Sequence, residues 1–354
     1  MSYIRSRTTL LGGLAVVLAA PLILAACSSS TPTSTSSSTA ALSVTSSAAC
    51  TAGAKEGTVN YWSKTDPGDF AKEIAPFEKA NPKITVKYTS LDPTAATQRI
   101  ITEVQAGHAI GADAMTSDLA SAEPLLKQNL VRDVDYAKLG IGSNLVQTTD
   151  GVRVFRVFRD LIGVAYNPKI TPKSSLPKTW DALISPTWSG KVIVDPRGVY
   201  LGGLAGAWGQ TKTMDWFNKF YSADKPIVVQ GATASLQQVI SGQALLSTSA
   251  AASAVLEQQK SGAPVAITYL DAVSSQDKYG ILMKGAQHPN AAACFLSWWG
   301  SEEGQAQQLA IEYKANTDVP STVPKGAKLG FVTKPSEQTV VNTTTTAISA
   351  VLAQ

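Results

Sequence analysis

Histidine is the scarcest catalytic side chain in this sequence: His108 and His288 are the only two among 354 residues. His108 follows Gly107 in a loop and His288 precedes Pro289 in a turn, so both read as exposed loop residues. No two histidines stand at helical spacing to share a zinc ion, and no Gly-x-Ser-x-Gly elbow presents a nucleophile. Excess charge of one sign is missing too. The 30 lysines and arginines against 26 acids leave +4, and without Arg5 and Arg7, the only charges before residue 27, the balance is +2. So neutral a chain carries no electrostatic footprint for nucleic acid. Beyond residue 26 no apolar run approaches eighteen residues, the length a spanning helix needs. Gly190-Lys191 imitates a phosphate loop, but the glycine required five residues earlier is Ser185. Gly202, Gly203 and Gly206 fall inside a predicted helix rather than at its start, which favours close helix packing over a dinucleotide site.

What is present begins with a leader. Arg5 and Arg7 precede an apolar run from Leu10 to Ala26, broken by Gly12-Gly13 and Pro21, the pattern of a signal peptide over residues 1–26. It ends Leu24-Ala25-Ala26-Cys27, which resembles the lipobox of bacterial lipoproteins. That resemblance implies cleavage before Cys27, lipidation of this cysteine, and a chain anchored to the outer face of the cell membrane. Ser and Thr then dominate, and with little to bury, residues 27–54 are expected to form a flexible linker.

The folded part is expected near Lys55. Thr58–Trp62 reads as a strand, Asp69–Ala80 as a helix, Ile84–Tyr88 as a strand, Thr94–Ala106 as a helix and Ala112–Met115 as a third strand, an order that implies a parallel sheet. Val154–Pro168 is a long β-rich run, expected to cross into a second lobe, and Val265–Leu270 is expected to carry the chain back. The sum is an α/β protein of two sheet-based lobes with a cleft between them. Lobe one takes residues 55–158 plus 272–325, and lobe two takes residues 159–271 plus 326–354.

One stretch is more specific. Trp180–Ile184 reads as a helical turn stopped by Ser185-Pro186, Trp188 and Gly190 as a tight turn, and Lys191–Asp195 as a buried strand followed by Pro196. The amides of Arg197, Gly198 and Val199 are expected to point, unpaired, from a helix start, as an anion site would need. Trp180-Asp181, Leu183, Pro186, Trp188, Gly190-Lys191 and Asp195-Pro196 together resemble the signature of extracellular solute-binding proteins of ABC importers. The branch they resemble holds ferric-ion, polyamine and thiamine binders. The resemblance implies a type II periplasmic-binding-protein-like fold, a monomer without cofactor or catalysis, and a permease in the membrane as partner. It also puts Cys294 in a helix on the same lobe as Cys50, so a disulfide and two inert small residues both remain open.

In such a fold, strand C-termini and helix N-termini of both lobes face the cleft. Candidate ligand contacts are therefore Ser63, Thr65, Asp66, Ser117 and Asp118 in lobe one. Arg197, Gly198, Thr233, Ser249 and Ser253 follow in lobe two, with Arg159 on the crossing strand. Hydroxyls, free amides and guanidinium suit a small polar or anionic solute. Iron(III) fits poorly: Asp118 matches the acid position of the ferric-binding relatives, but Ala252 and Ser253 stand where tyrosines would, and the first loop has no histidine. Trp62 and Trp208 are expected near the cleft. The rival reading is a cell-envelope lipoprotein hydrolase, which would need one of the two histidines beside a cleft serine.

Overall fold

A computed structural model describes residues 41–314, 316 and 321–353. The expected leader, the expected lipidation of Cys27 and the expected linker up to residue 40 lie outside that range. The chain folds earlier than its composition implies. The Ala48 amide donates to Thr45 Oγ1 at 3.3 Å, and α1 (Ser46–Glu56) starts there, so the linker expected to reach residue 54 is corrected. Small residues make this helix, and small residues seat it. A Cβ on Gly53 would stand 2.7 Å from Ala291 Cα, so only glycine lets the two backbones meet. The next elements are β1 (Thr58–Ser63), α2 (Pro67–Ala80), β2 (Thr85–Ser90), α3 (Pro93–Gln105), β3 (Ala114–Ser117) and α4 (Leu119–Lys127). Asp66, Asp92 and Asp118 cap α2, α3 and α4. Both β2 and β3 pair parallel to β1, as βα units require.

A hairpin of β4 (Val146–Thr149) and β5 (Val152–Tyr166) then sends the chain across. Beyond it lie β6 (Val192–Val194), α5 (Val199–Gly202), α6 (Ala205–Trp208), α7 (Gln210–Asp224), β7 (Ile227–Val228), α8 (Ala232–Ser241), β8 (Leu246–Ala251), α9 (Ala252–Lys260) and β9 (Ala266–Thr268). The return is made by β10 (Ala272–Leu282), not by Val265–Leu270, whose strand β9 only pairs with β5. Trp180 fastens this end: its amide donates to Asp271 Oδ1 and its indole Nε1 to the Ala272 carbonyl, each at 2.9 Å. After it come α10 (Pro289–Trp299), α11 (Glu302–Glu312), β11 (Lys328–Gly330) and α12 (Pro335–Leu352).

Two hydrophobic regions flank the crossing. In the first, Tyr61, Phe70, Phe77, Phe295 and Trp299 pack together; in the second, Trp180, Trp216, Phe217, Phe220, Leu201 and Ile348 do. The strands nonetheless form one hydrogen-bonded path, β2-β1-β3-β10-β5-β8-β6-β7, with β4, β9 and β11 attached to β5 and β10. Two sheet-based halves are thus joined into a continuous ladder, because β5 and β10 are long enough to belong to both. They pair antiparallel from Ser274↔Ile162 to Gly280↔Phe155.

Cys50 of α1 and Cys294 of α10 are joined by a disulfide, and Glu56 accepts from the Asn290 and Ala291 amides at the start of α10. The bridge closes a loop spanning 244 residues, which in the chain-entropy view is worth about 5–6 kcal/mol. Replacing both cysteines with alanine should lower the melting temperature in thermal denaturation while far-ultraviolet circular dichroism stays unchanged; an unchanged melting temperature would refute this.

Candidate functional site

The cleft sits where β10 passes between the lobes. A cavity of about 460 Å³ is lined from lobe one by Lys64 and Asp118, from the crossing by Ser274–Tyr279, and from lobe two by Arg197, Tyr200, Gly203 and the α12 residues Gln338, Asn342 and Thr345. A second compartment of about 290 Å³ holds Ser63, Thr65, Thr116, Phe158, Asp160 and Lys314, and shares Lys64, Gln276 and Lys278 with the first. Glycine brings α12 in. Gly198 has φ +70°, and a Cβ there would stand 2.5 Å from the Thr345 carbonyl oxygen; a Cβ on Gly202 would stand 2.1 Å from Thr345 Oγ1.

Nearly every charge in the cleft already has a partner inside the protein. Lys278 Nζ donates to Asp118 Oδ2 at 2.8 Å, while the Ser121 amide and hydroxyl donate to the same carboxylate. Burial alone would raise the Asp118 carboxyl; the Lys278 ammonium and the Ser121 bonds outweigh it and hold the group below its ordinary value. Lys64 pairs with Asp92 at 3.2 Å and Lys314 with Glu312 at 3.0 Å. Asp160 is the exception. Burial raises its carboxyl, and the bonds it accepts from the Ser253 amide and hydroxyl recover only part of that.

The structure sorts the candidate residues. Ser63, Thr65, Asp118 and Arg197 line the two compartments. Ser253 reaches the second through Asp160. Gly198 seats α12 instead of a ligand, and its amide donates to the Asp195 carbonyl. The amides of Arg197 and Gly198, expected to be unpaired at this corner, are therefore corrected. Asp195 Oδ1 takes the Arg197 amide at 2.9 Å, and Oδ2 takes the Gly231 amide at 2.9 Å, so a carboxylate of the chain fills the anion position. Its carboxyl is pushed up by burial but held below its usual range by Arg197 and these amides. Arg159 is also corrected: it forks onto Asp277, lies over the Phe331 ring at 3.8 Å, and faces neither the solute space nor open solvent. Asp66 is an exposed helix cap, Thr233 is exposed on α8, Ser117 bonds the Asp118 carbonyl, and Ser249 is buried in β8; none of the four lines either compartment. Neither tryptophan expected at the cleft is there. Trp62 is buried with Arg99 over its ring, and Trp208 packs on Trp180 and Trp216.

Lys278, Gln276 and the α12 residues escaped the sequence reading, because only the register of β10 and the docking of α12 bring them in; Tyr200 of α5 had a signal, two residues after Gly198. Lys64 and Asp160 had signals: one lies between two named candidates, the other beside Arg159. The histidines sit apart from cleft serines. His108 is exposed, and His288 Nδ1 lies 2.9 Å from Asp113 Oδ2, with its amide on the same carboxylate. Among the described residues no group of three or more His, Cys, Asp or Glu side chains could hold a metal ion.

Residues 72–322, well over half the chain, match the family of bacterial extracellular solute-binding proteins. The chain belongs to this family. No curated protein matches the sequence. Solved structures share the fold at low identity. Iron-bound HitA from Pseudomonas aeruginosa aligns at 16% identity and TM-score 0.66 over 84% of this chain and 99% of that one. AfuA from Actinobacillus pleuropneumoniae, with fructose-6-phosphate bound, aligns at 15% identity and TM-score 0.62 over 84% and 99%. The ferric iron-binding protein A of Mannheimia haemolytica, in an open conformation, aligns at 13% identity and TM-score 0.62 over 84% and 98%. These are periplasmic binding proteins of the type II fold, solute receptors of ABC importers and not enzymes; nothing in them supports the hydrolase alternative.

Glu73 of α2 is fully buried, with its carboxyl against that of Glu312. Burial, then the Glu312 carboxylate, pushes its carboxyl up to about 9; Asp69 adds to the rise, and Lys314 opposes it. Because the folded value lies above the unfolded one, the protonated acid supports the fold at low pH, and that support is lost as pH climbs from about 4.5 to about 9. Glu73→Gln should therefore raise stability at pH 8 and change it little at pH 4. Urea denaturation at the two pH values checks this; an equal effect at both would refute it.

Proposed function

We propose that this receptor captures a small polar solute bearing an anionic group between its lobes and presents it to an ABC permease, while a lipid on Cys27 holds it at the membrane. The observation that carries the reading is the cleft's lining. Lys64 and Lys278 from one side and Arg197 from the other meet over neutral donors and acceptors, Gln276, Gln338, Asn342 and Tyr200. Each cation is held in place by its own carboxylate, so an incoming anion finds donors already positioned. A solute that touches both lobes stabilises the closed arrangement, and one that touches a single lobe does not. Iron(III) finds poor material here, since Ala252 and Ser253 replace phenolates and Ser253 is engaged with Asp160.

Thermal-shift screening of phosphates, phosphonates, carboxylates, polyamines and sugars should find a solute that raises the melting temperature. For that solute, Lys278→Met should weaken calorimetric affinity by about 10- to 100-fold, the range of one charge-assisted hydrogen bond. Unaltered affinity would overturn the assignment of Lys278. Cys27→Ser should move the protein from the membrane fraction to the soluble one; continued membrane retention would overturn the lipid anchor.

A further inference from the structure

The larger compartment is bounded by more than side chains. Six consecutive residues of β10, Ser274–Tyr279, line it. A strand seen from one face cannot do this, because successive side chains alternate between faces. The compartment therefore meets β10 along its edge. Pairing accounts for that exposure. On one side β10 pairs with β5 from Ser274 to Gly280. On the other, β11 pairs no further than Ser274 and β3 begins at Tyr279, so residues 275–278 have no strand partner there among the described residues.

Four residues span roughly 13 Å along a strand. Antiparallel pairing uses the main-chain groups of alternate residues on each side, so about two of the four turn both N–H and C=O into the gap. Two side-chain hydroxyls on this stretch also lack partners, one on each face of the strand. The hydroxyls of Ser274 and Ser275 have no hydrogen-bond partner, and Ser274 is only 2% exposed. Buried polar groups left in this state cost free energy until something pairs with them.

Charge marks the two sides of the gap. Asp118 ends β3, and its carboxylate accepts three bonds, from the Ser121 amide, the Ser121 hydroxyl and Lys278. A carboxylate has about four acceptor positions, so one is left. Arg197, from lobe two, gives Nε and one terminal nitrogen to Asp195, and its side chain is 49% exposed.

Resting on the receptor reading above, we propose that the solute is a short peptide of two or three residues, which lies along the open edge of β10 as one more strand, its amino group at Asp118 and its carboxylate at Arg197. Main chain is the natural complement of main chain. A sugar hydroxyl can meet one such group, but a repeat of donor and acceptor at strand spacing matches another backbone.

The full-length protein would be titrated with trialanine, trialanine N-methylated at its central amide, N-acetyl-trialanine, inorganic phosphate, fructose 6-phosphate and spermidine, using thermal melting and calorimetry. Trialanine is expected to raise the melting temperature, with N-methylation and N-acetylation each weakening its binding at least 10-fold. Equal binding of trialanine and its N-methyl form would overturn the edge pairing. A shift with phosphate or sugar phosphate but none with peptide would overturn the peptide class and leave the receptor reading standing, whereas a shift with spermidine alone would overturn both the peptide class and the anionic group of that reading. No shift with any of the six would overturn the peptide class, while the receptor reading stands or falls with the wider screen above.

Discussion

The antiparallel pairing of β5 with β10 is the constraint on which the molecule depends. Between Ser274↔Ile162 and Gly280↔Phe155 it is the main-chain connection between the lobes, and its irregularity at Lys278/Tyr279 lies where the cleft lies. An edge irregularity of this kind re-aims side chains. One feature thus carries the mechanical link and the wall of the solute space together. Few elements can rotate here without the other crossing strand following.

Pairing of charges is the second theme. Lys278 with Asp118, Arg197 with Asp195, Arg159 with Asp277 and Lys314 with Glu312 all cluster around the crossing. Pairs so little exposed as Arg159 and Asp277 are costly to separate, because either partner alone would be a buried charge. Asp195 goes further and takes amides of two different loops, at Arg197 and Gly231. The corner that a sequence motif presents as an empty anion site is filled by the protein's own anion. Its role is to hold two loops of lobe two at a fixed spacing.

How far this could be read from residues alone depends on whether the signal was local. The βα units of lobe one and the crossing at Val152–Tyr166 follow from hydrophobic period, capping aspartates and proline, all written within a few residues of where they act. α1 was missed because Ser, Ala and Gly show no apolar period; it forms through Ala49, Gly53 and Cys50 packing on α10, contacts 240 residues away in sequence. The return strand was placed too early because Val265–Leu270 is the more β-branched run, whereas β10 is polar along the part that borders the cleft. Half the site was legible for a similar reason. Ser63, Thr65, Asp118 and Arg197 stand at strand ends, while Gln276, Lys278 and Asn342 enter through register and helix docking, which no local pattern encodes.

The seating of α12 against Gly198 and Gly202 has a consequence for how the protein is made. This helix supplies Gln338, Asn342 and Thr345 to the solute space, and it occupies eighteen residues at the end of the sequence as given. A chain emerging in order would build the first hydrophobic region while the second still lacked Ile348 and Leu352, and the space between them one wall. Competence to hold a guest would therefore arrive late in synthesis, in the same step that completes the second region.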